Sequence, residues 1–409
     1  MFSAERIEVW LKARQSRVVG DKPRGNVLEG PGYLYRPEQL LVNTEDLPLV
    51  ADQLARVEAV ENRELSREFS ALDIPITVFT VTTVPIPALV SRLRAVRDEG
   101  LPVPRVGPNH VFTGEPTYHG GPGGEPRPAA PPEGRWAAPD VGAPRVAAID
   151  TGVPADLDGL HPELFARLFS EGDDTDLLFT SGDLLDHEAG HGTFVSGILM
   201  QLAPWLSIDP ERVLDSAGVG DDRTVTLGIA RAKCLLVNAS LGGYTHDDMA
   251  PPALEALLSK QDPESVIVAA AGNNGQSRPF WPAAFKHVIA VGAVDTRRGA
   301  MTRAAFSNFG VWVDCCAPGV DIRSTYVRGE WRLDAPGEDG SLEKLEGWAC
   351  WSGTSFAAPQ VTAAIAARMK GTSLTPRQAA HAVLADATTV VPGVGFFVRP
   401  EADLLCPDS

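Results

Sequence analysis

The stretch Arg145–Val153, RVAAIDTGV, is a run of small and branched apolar residues that ends in a carboxylate and a glycine turn. The same form recurs in SVIVAAAGN, residues 265–273, and in HVIAVGAVD, residues 287–295. A half-buried strand alternates apolar and polar residues; these runs do not, so both of their faces must be covered. Helix patterns lie between them, which predicts an α/β fold with a parallel sheet and helices on both faces. In such sheets functional sites form at the carboxyl ends of the strands. Asp150 and Asn273 each stand where a strand is expected to end.

The chain has 409 residues, enough for one large domain and a smaller one. Its hydrophobic fraction of 44% and charged fraction of 22% are those of a soluble globular protein. A formal net charge of −17 disfavours nucleic acid and anionic membrane surfaces as partners, and attracts cationic peptides. No run of about 18 apolar residues is present, so no membrane span is expected. Residues 1–25 have no uninterrupted apolar core and no small-residue cleavage site, which predicts no signal peptide and a cytoplasmic location. The cysteines are Cys234, Cys315, Cys316, Cys350 and Cys406. An odd number without CxxC spacing reads as reduced, packed thiols in a cytosolic protein.

Between Gly114 and Pro144 about half the residues are glycine or proline, which reads as a linker unable to hold a helix or a central strand. It divides the chain into residues 1–113, a linker at 114–143, and residues 144–409. The first part shows an amphipathic start at Glu5–Lys12 and an extended run at Gln39–Val42. A helix pattern follows at Asp46–Val60, then a strand at Ile76–Thr82, a helix at Ile86–Val96 and another strand in VGPNHVF, residues 106–112. Alternation on this scale predicts a small α/β domain.

Three segments of the larger part carry a polar group beside glycine: AAIDTGV with Asp150, GHGTFVSGI with His191, and GTSFAAP with Ser355. Ser355 opens an alanine-rich helix pattern, and alone it reads as a helix cap. Together the three supply a hydroxyl, an imidazole to take its proton, and a carboxylate to orient that imidazole. AAAGNNG adds Asn273 as a side-chain donor for an oxyanion. Their order, Asp then His then Ser, is that of subtilisin.

With four motifs in this order, residues 143 to the C-terminus resemble a subtilisin-family serine peptidase. The resemblance implies Asp150, His191 and Ser355 as a triad, with Asn273 and the Ser355 backbone N–H forming an oxyanion hole. It also implies that Ser240, Leu241 and Gly242 of VNASLGG, and Gly218, Val219 and Gly220 of RVLDSAGVGDD, bind substrate backbone from opposite sides. The partner is then a protein or peptide substrate. A small α/β domain ahead of the catalytic domain implies a prodomain and a zymogen, cleaved between about Phe112 and Ala143; alternatively it stays attached and binds a regulatory partner.

HEAGH, residues 187–191, also matches the H-E-x-x-H signature of zinc peptidases. Gly190 and Gly192 are poor residues for the helix that signature needs, at about 1 kcal/mol each relative to Ala. No metal ligand and no required cofactor are expected. The second His of the family's GHGTH pattern is Phe194 here, expected to pack in the core. GILMQLAPWLSI leaves no room for the calcium loop that many relatives place after the His helix, so that site is expected to be absent. Phe280 is expected near the floor of the first specificity pocket. Asp221 and Asp222 read either as a solvated loop or as an attraction for basic side chains. Two further readings stay open: a transpeptidase or macrocyclase using the same acyl-enzyme, and an inert binding protein.

Overall fold

The computed structural model describes residues 28–407, apart from positions 31, 96–101, 115–124, 134–135, 137–139, 141–142, 170–173, 179–183, 300 and 333–340. The amphipathic start at Glu5–Lys12 lies outside the described residues.

Residues 28–113 build an antiparallel sheet. β1 (Leu28–Gly30) folds back on β2 (Tyr33–Asn43), followed by α1 (Leu47–Arg56), β3 (Val60–Glu61), α2 (Arg63–Ser70), β4 (Ile76–Thr80), α3 (Ile86–Ala95) and β5 (Val106–Thr113). The strands lie in the order β3-β4-β2-β5. The helix expected at 46–60 ends at Arg56, because Val60 and Glu61 turn back to pair with Thr80 and Phe79. α2 was not expected: its only apolar residues are Leu65 and Phe69, one turn apart. Asn62 starts it by accepting from the Leu65 N–H at 3.2 Å.

Strand periodicity of two gives this sheet two buried faces. Leu40 and Val42 pack with Val50, Leu54, Leu89 and Val90 on one side. Leu41, Val78 and Phe112 point the other way, into a core shared with Val225 and Leu254 of the larger part.

That larger part runs β7 (Arg145–Asp150), α4 (Leu157–Leu160), α5 (Pro162–Phe165), α6 (His191–Leu202), β8 (Ser207–Arg212), β9 (Val219–Asp221), α7 (Asp222–Ala232), β10 (Leu236–Ala239), α8 (Pro252–Leu258), β11 (Val266–Ala270) and β12 (Val288–Asp295). It continues with β13 (Thr302–Arg303), β14 (Cys315–Pro318), β15 (Ile322–Arg332), β16 (Leu342–Trp351), α9 (Thr354–Met369), α10 (Pro376–Asp386), β17 (Val390–Val391) and β18 (Gly395–Phe397). The sheet order is β17-β18-β14-β12-β11-β10-β7-β8, parallel from β18 to β8. The unbroken apolar run of β7 has the expected cause: Val146 and Ala148 face Phe194, Ile198 and Val361, while Ala147 and Ile149 face Val225 and Leu254.

One expectation is corrected, that of the cysteines below. The linker, read as unable to hold a helix or a central strand, contributes an edge strand: β6 (Arg127–Pro128) pairs with Cys350 and Ala349 of β16. It lies at the edge of the three-stranded β15-β16-β6 sheet, where the missing N–H of Pro128 is tolerated. The cysteines are not all reduced: Cys350 and Cys406 form a disulfide with a Cα–Cα distance of 6.2 Å, while Cys234, Cys315 and Cys316 are free. Sequence spacing could not show this, because the C-terminal tail returns to β15, with Leu405 bridging Ile322.

Candidate active site

Asp150 is the last residue of β7 and is buried. Its Oδ1 accepts from the Thr151 N–H at 2.8 Å and lies 2.6 Å from His191 Nδ1. His191 is the first residue of α6, entered through Gly190 at φ +81°, where a side chain would also collide with Val327. Gly192 lets the helix close on the β7 turn: a Cβ there would come within 2.3 Å of the Gly152 carbonyl oxygen. The helix thus begins at His191, so His187 does not share it, and the one-turn spacing that HEAGH would need for zinc is not formed. Phe194 is fully buried, with its ring 4.4 Å from that of Phe356 and 5.9 Å from that of Trp351.

The imidazole itself is buried against Trp351 and Phe356, at ring separations of 5.7 and 5.5 Å. Burial pulls its pKa down, but the charge and hydrogen bond of Asp150, with Glu188 and Asp176 behind them, outweigh burial and hold it above its ordinary value. Asp176 was not singled out from the sequence. Its Oδ2 accepts from the Gly190 N–H at 2.8 Å and the Thr151 hydroxyl at 3.0 Å, and Thr151 Oγ1 accepts from the Gly192 N–H at 3.0 Å. It therefore ties the Asp150 turn to the start of the His191 helix. Burial, with the nearby Asp150 charge, raises its pKa to about 7 against those hydrogen bonds.

Ser355 is the second residue of α9. Pro359, four residues on, has no N–H to give to the Ser355 carbonyl. The Ser240 hydroxyl fills that place at 2.7 Å; Asn238 Nδ2 donates to Ser240 Oγ at 2.9 Å, and the Thr362 hydroxyl donates to Asn238 Oδ1 at 3.0 Å. This buried chain holds the nucleophile's turn against the VNASLGG segment. A proline inside an otherwise helical pattern was the available sequence signal for it.

Asn273 sits three residues past the end of β11, and its Oδ1 accepts from the Thr354 N–H at 2.8 Å and the Thr354 hydroxyl at 2.9 Å. With the oxygen engaged, the amide offers its NH2 as donor. The Ser355 hydroxyl does not bond to His191, whose Nε2 has no hydrogen-bond partner among the described residues. It is turned to the carbonyls of Ser240, at 3.2 Å, and Gly114, at 3.3 Å.

Gly114 is there because β5 runs between the two segments singled out as substrate walls. Val111, Phe112 and Thr113 pair antiparallel with Asp221, Gly220 and Val219. On the other side Thr113 exchanges both backbone hydrogen bonds with Gly242, at 2.8 and 2.9 Å. Gly218 and Leu241 flank these pairs. Phe280 is buried with its ring against Gly242 and Gly272: a Cβ on Gly242 would lie 2.3 Å from that ring, and one on Gly272 would lie 3.0 Å away. Asp221 and Asp222 are neither a solvated loop nor available to attract a substrate. Asp221 caps α7 and pairs with Arg36 at 2.9 Å, and Asp222 accepts from the Ala253 and Leu254 N–H groups at the start of α8.

The model of the subtilase family matches residues 142–398. The chain belongs to the subtilase family. It is 36% identical over 249 residues to the thermophilic serine proteinase of Bacillus sp. (strain AK1), covering 57% of this chain and 54% of that one. It is 31% identical over 241 residues to thermitase of Thermoactinomyces vulgaris, covering 55% and 75%. This subtilase thus spans about half the length of the first relative and three-quarters of the second. The fold of fervidolysin from Fervidobacterium pennivorans superposes with a TM-score of 0.59 at 22% identity, over 93% of this chain and 64% of that one. At that identity the likeness concerns the fold. No helix among the described residues is long and apolar enough to cross a membrane.

Proposed function

We propose that this subtilase is a serine endopeptidase that hydrolyses peptide bonds through an acyl-enzyme on Ser355. The observation that carries the reading is the 2.6 Å Asp150–His191 contact at the mouth of a groove that already holds an extended segment of peptide, delivered to Ser355. In the reaction His191 Nε2 takes the hydroxyl proton as Ser355 Oγ bonds to the scissile carbonyl carbon. The carbonyl oxygen becomes an oxyanion, held by the Asn273 NH2 and the Ser355 backbone N–H. His191 then gives the proton to the leaving amine nitrogen as the C–N bond breaks. Water attacks the ester by the same route, releasing the acid and restoring Ser355. Asp150 keeps the tautomer and stabilises the imidazolium.

On this reading residues 1–113 are an inhibitory prodomain and the chain is a zymogen. With β5 in the groove no other peptide can pair with both walls, and the Ser355 hydroxyl is held away from its base. Release involves cleavage of the chain at or just past Gly114. None of these steps calls for a metal, and only Ala203–Leu206 separate α6 from β8. The test is labelling of Ser355 by a fluorophosphonate, with loss of labelling in His191→Ala, beside intact masses of wild type and Ser355→Ala. A shorter wild type alone supports self-processing. No labelling of folded protein under any condition overturns the hydrolase reading.

A further inference from the structure

One acidic group in the groove has no part in the steps above. Glu188 lies three residues before His191, is fully buried, and anchors its backbone through an N–H donated to the Ser216 carbonyl at 2.9 Å. Ser216 leads directly into the Gly218–Gly220 wall. A Cβ built on Gly114 would come within 2.0 Å of Glu188 Oε2, and one on Gly218 within 1.9 Å of the Glu188 carboxyl carbon. The carboxyl group therefore fills the space into which a side chain at Gly114 would project. Because Gly114 continues a strand hydrogen-bonded to both walls, that space is where one side chain of any peptide in this register must go.

The physics of that space is selective. Glycine leaves the carboxylate undisturbed. An apolar side chain must push it aside and gives it no hydrogen bond in return, and an acidic one adds like-charge repulsion. A lysine or arginine also displaces it, but gives it a charge-assisted hydrogen bond in return. The cost of moving the carboxylate is therefore met only by a cationic side chain.

We infer that Glu188 determines specificity at the subsite facing Gly114, admitting glycine or a basic side chain and rejecting apolar and acidic ones. The inference rests on the hydrolase reading for its use on substrates, while the contact itself can be tested without catalysis. The experiment is a mutant cycle in the full-length chain: Gly114→Leu, Gly114→Arg and Gly114→Glu, each with Glu188 and with Glu188→Gln. On the inactive Ser355→Ala background, thermal melting reads how well the segment seats. Expected is a melting temperature lowered by Leu and lowered most by Glu, kept within a degree or two of the parent by Arg, with the Arg–Leu difference abolished in Glu188→Gln.

On the active background the fluorophosphonate labelling rate of Ser355 reads displacement of the segment. It rises at least tenfold for Leu and for Glu and stays near wild type for Arg. Equal behaviour of Leu and Arg in the presence of Glu188, or an Arg advantage that survives Glu188→Gln, overturns the inference. If labelling fails in every variant while the melting cycle behaves as expected, the hydrolase reading falls and the Glu188 contact stands.

Discussion

The Ser355 hydroxyl donates to the carbonyl of Gly114, a residue 241 positions earlier in the chain, at 3.3 Å. That bond and the Thr113–Gly242 pair place the end of β5 in the groove, so the groove's occupancy can be altered from the β5 side. Thr113→Pro removes the N–H that donates to Gly242 at 2.8 Å, and proline has no replacement. The expected outcome is faster fluorophosphonate labelling, by about tenfold or more for a loss of ~1.5 kcal/mol at the main-chain pair. An unchanged rate would show that the pairing does not control access.

The carbonyl of Ser355 gives a second test, with a built-in rescue. Ser240→Ala leaves that buried oxygen without its donor, at a cost of about 1–3 kcal/mol in stability, and loosens the nucleophile's turn. Pro359→Ala restores an N–H at the fourth residue of the ladder. Ser240→Ala/Pro359→Ala is therefore expected to recover melting temperature and labelling relative to Ser240→Ala alone. If the two changes are simply additive, the proline is not the reason the serine is needed.

Asn273→Ala removes the proposed side-chain donor to the oxyanion. Loss of one oxyanion-hole donor costs roughly 100- to 1,000-fold in turnover, and that range is expected here with KM little changed. A larger fall in KM-dependent binding than in kcat would mean that Asn273 acts on the ground state.

Two buried carboxyls set the stability profile with pH. Asp176 and Asp222 are each raised to about 7, chiefly by burial. In the fold they keep protons that the unfolded chain releases near pH 4, so their contribution is full below that pH and is lost as pH rises towards about 7. Melting of wild type against Asp222→Asn between pH 4 and 8 should show the slope flattened in the variant. Activity runs the other way: His191 must be neutral to act as base and its pKa is raised, so labelling falls as pH drops through that value.

Cys406→Ser opens a disulfide that closes 56 residues. Chain entropy makes that worth about 4 kcal/mol, which for a domain of this size is ~5 °C in melting temperature under non-reducing conditions. An identical melting curve with and without reductant would show that the bond does not constrain the unfolded chain.

The parts of this molecule that were legible in its sequence are those fixed by local chemistry. The apolar runs at 146–149 and 266–270 announced strands covered on both faces, and glycine-flanked motifs singled out Asp150 and His191, which are in contact, and Asn273, which bonds to Thr354 beside Ser355. What stayed hidden depends on partners far away in the chain. Asp176 lies in a stretch without periodicity, and its meaning comes only from the Thr151 and Gly190 groups it joins. Cys350 and Cys406 carry no spacing signature, because the tail that unites them has no pattern of its own. α2 escaped because two apolar residues one turn apart are too few to define a helical face. Asp221 and Asp222 looked like surface acids because nothing local indicates that Arg36 and the start of α8 cover them.

The two-faced burial of the N-terminal sheet separates two events that are easily treated as one. Cutting the backbone just past Gly114 severs a covalent connection but removes no contact of Leu41, Val78 or Phe112 with Val225 and Leu254. The Arg36–Asp221 ion pair also survives the cut. A nicked molecule would therefore remain a tight two-piece complex, still silent, and its awakening would be governed by how fast the smaller piece dissociates or is itself digested.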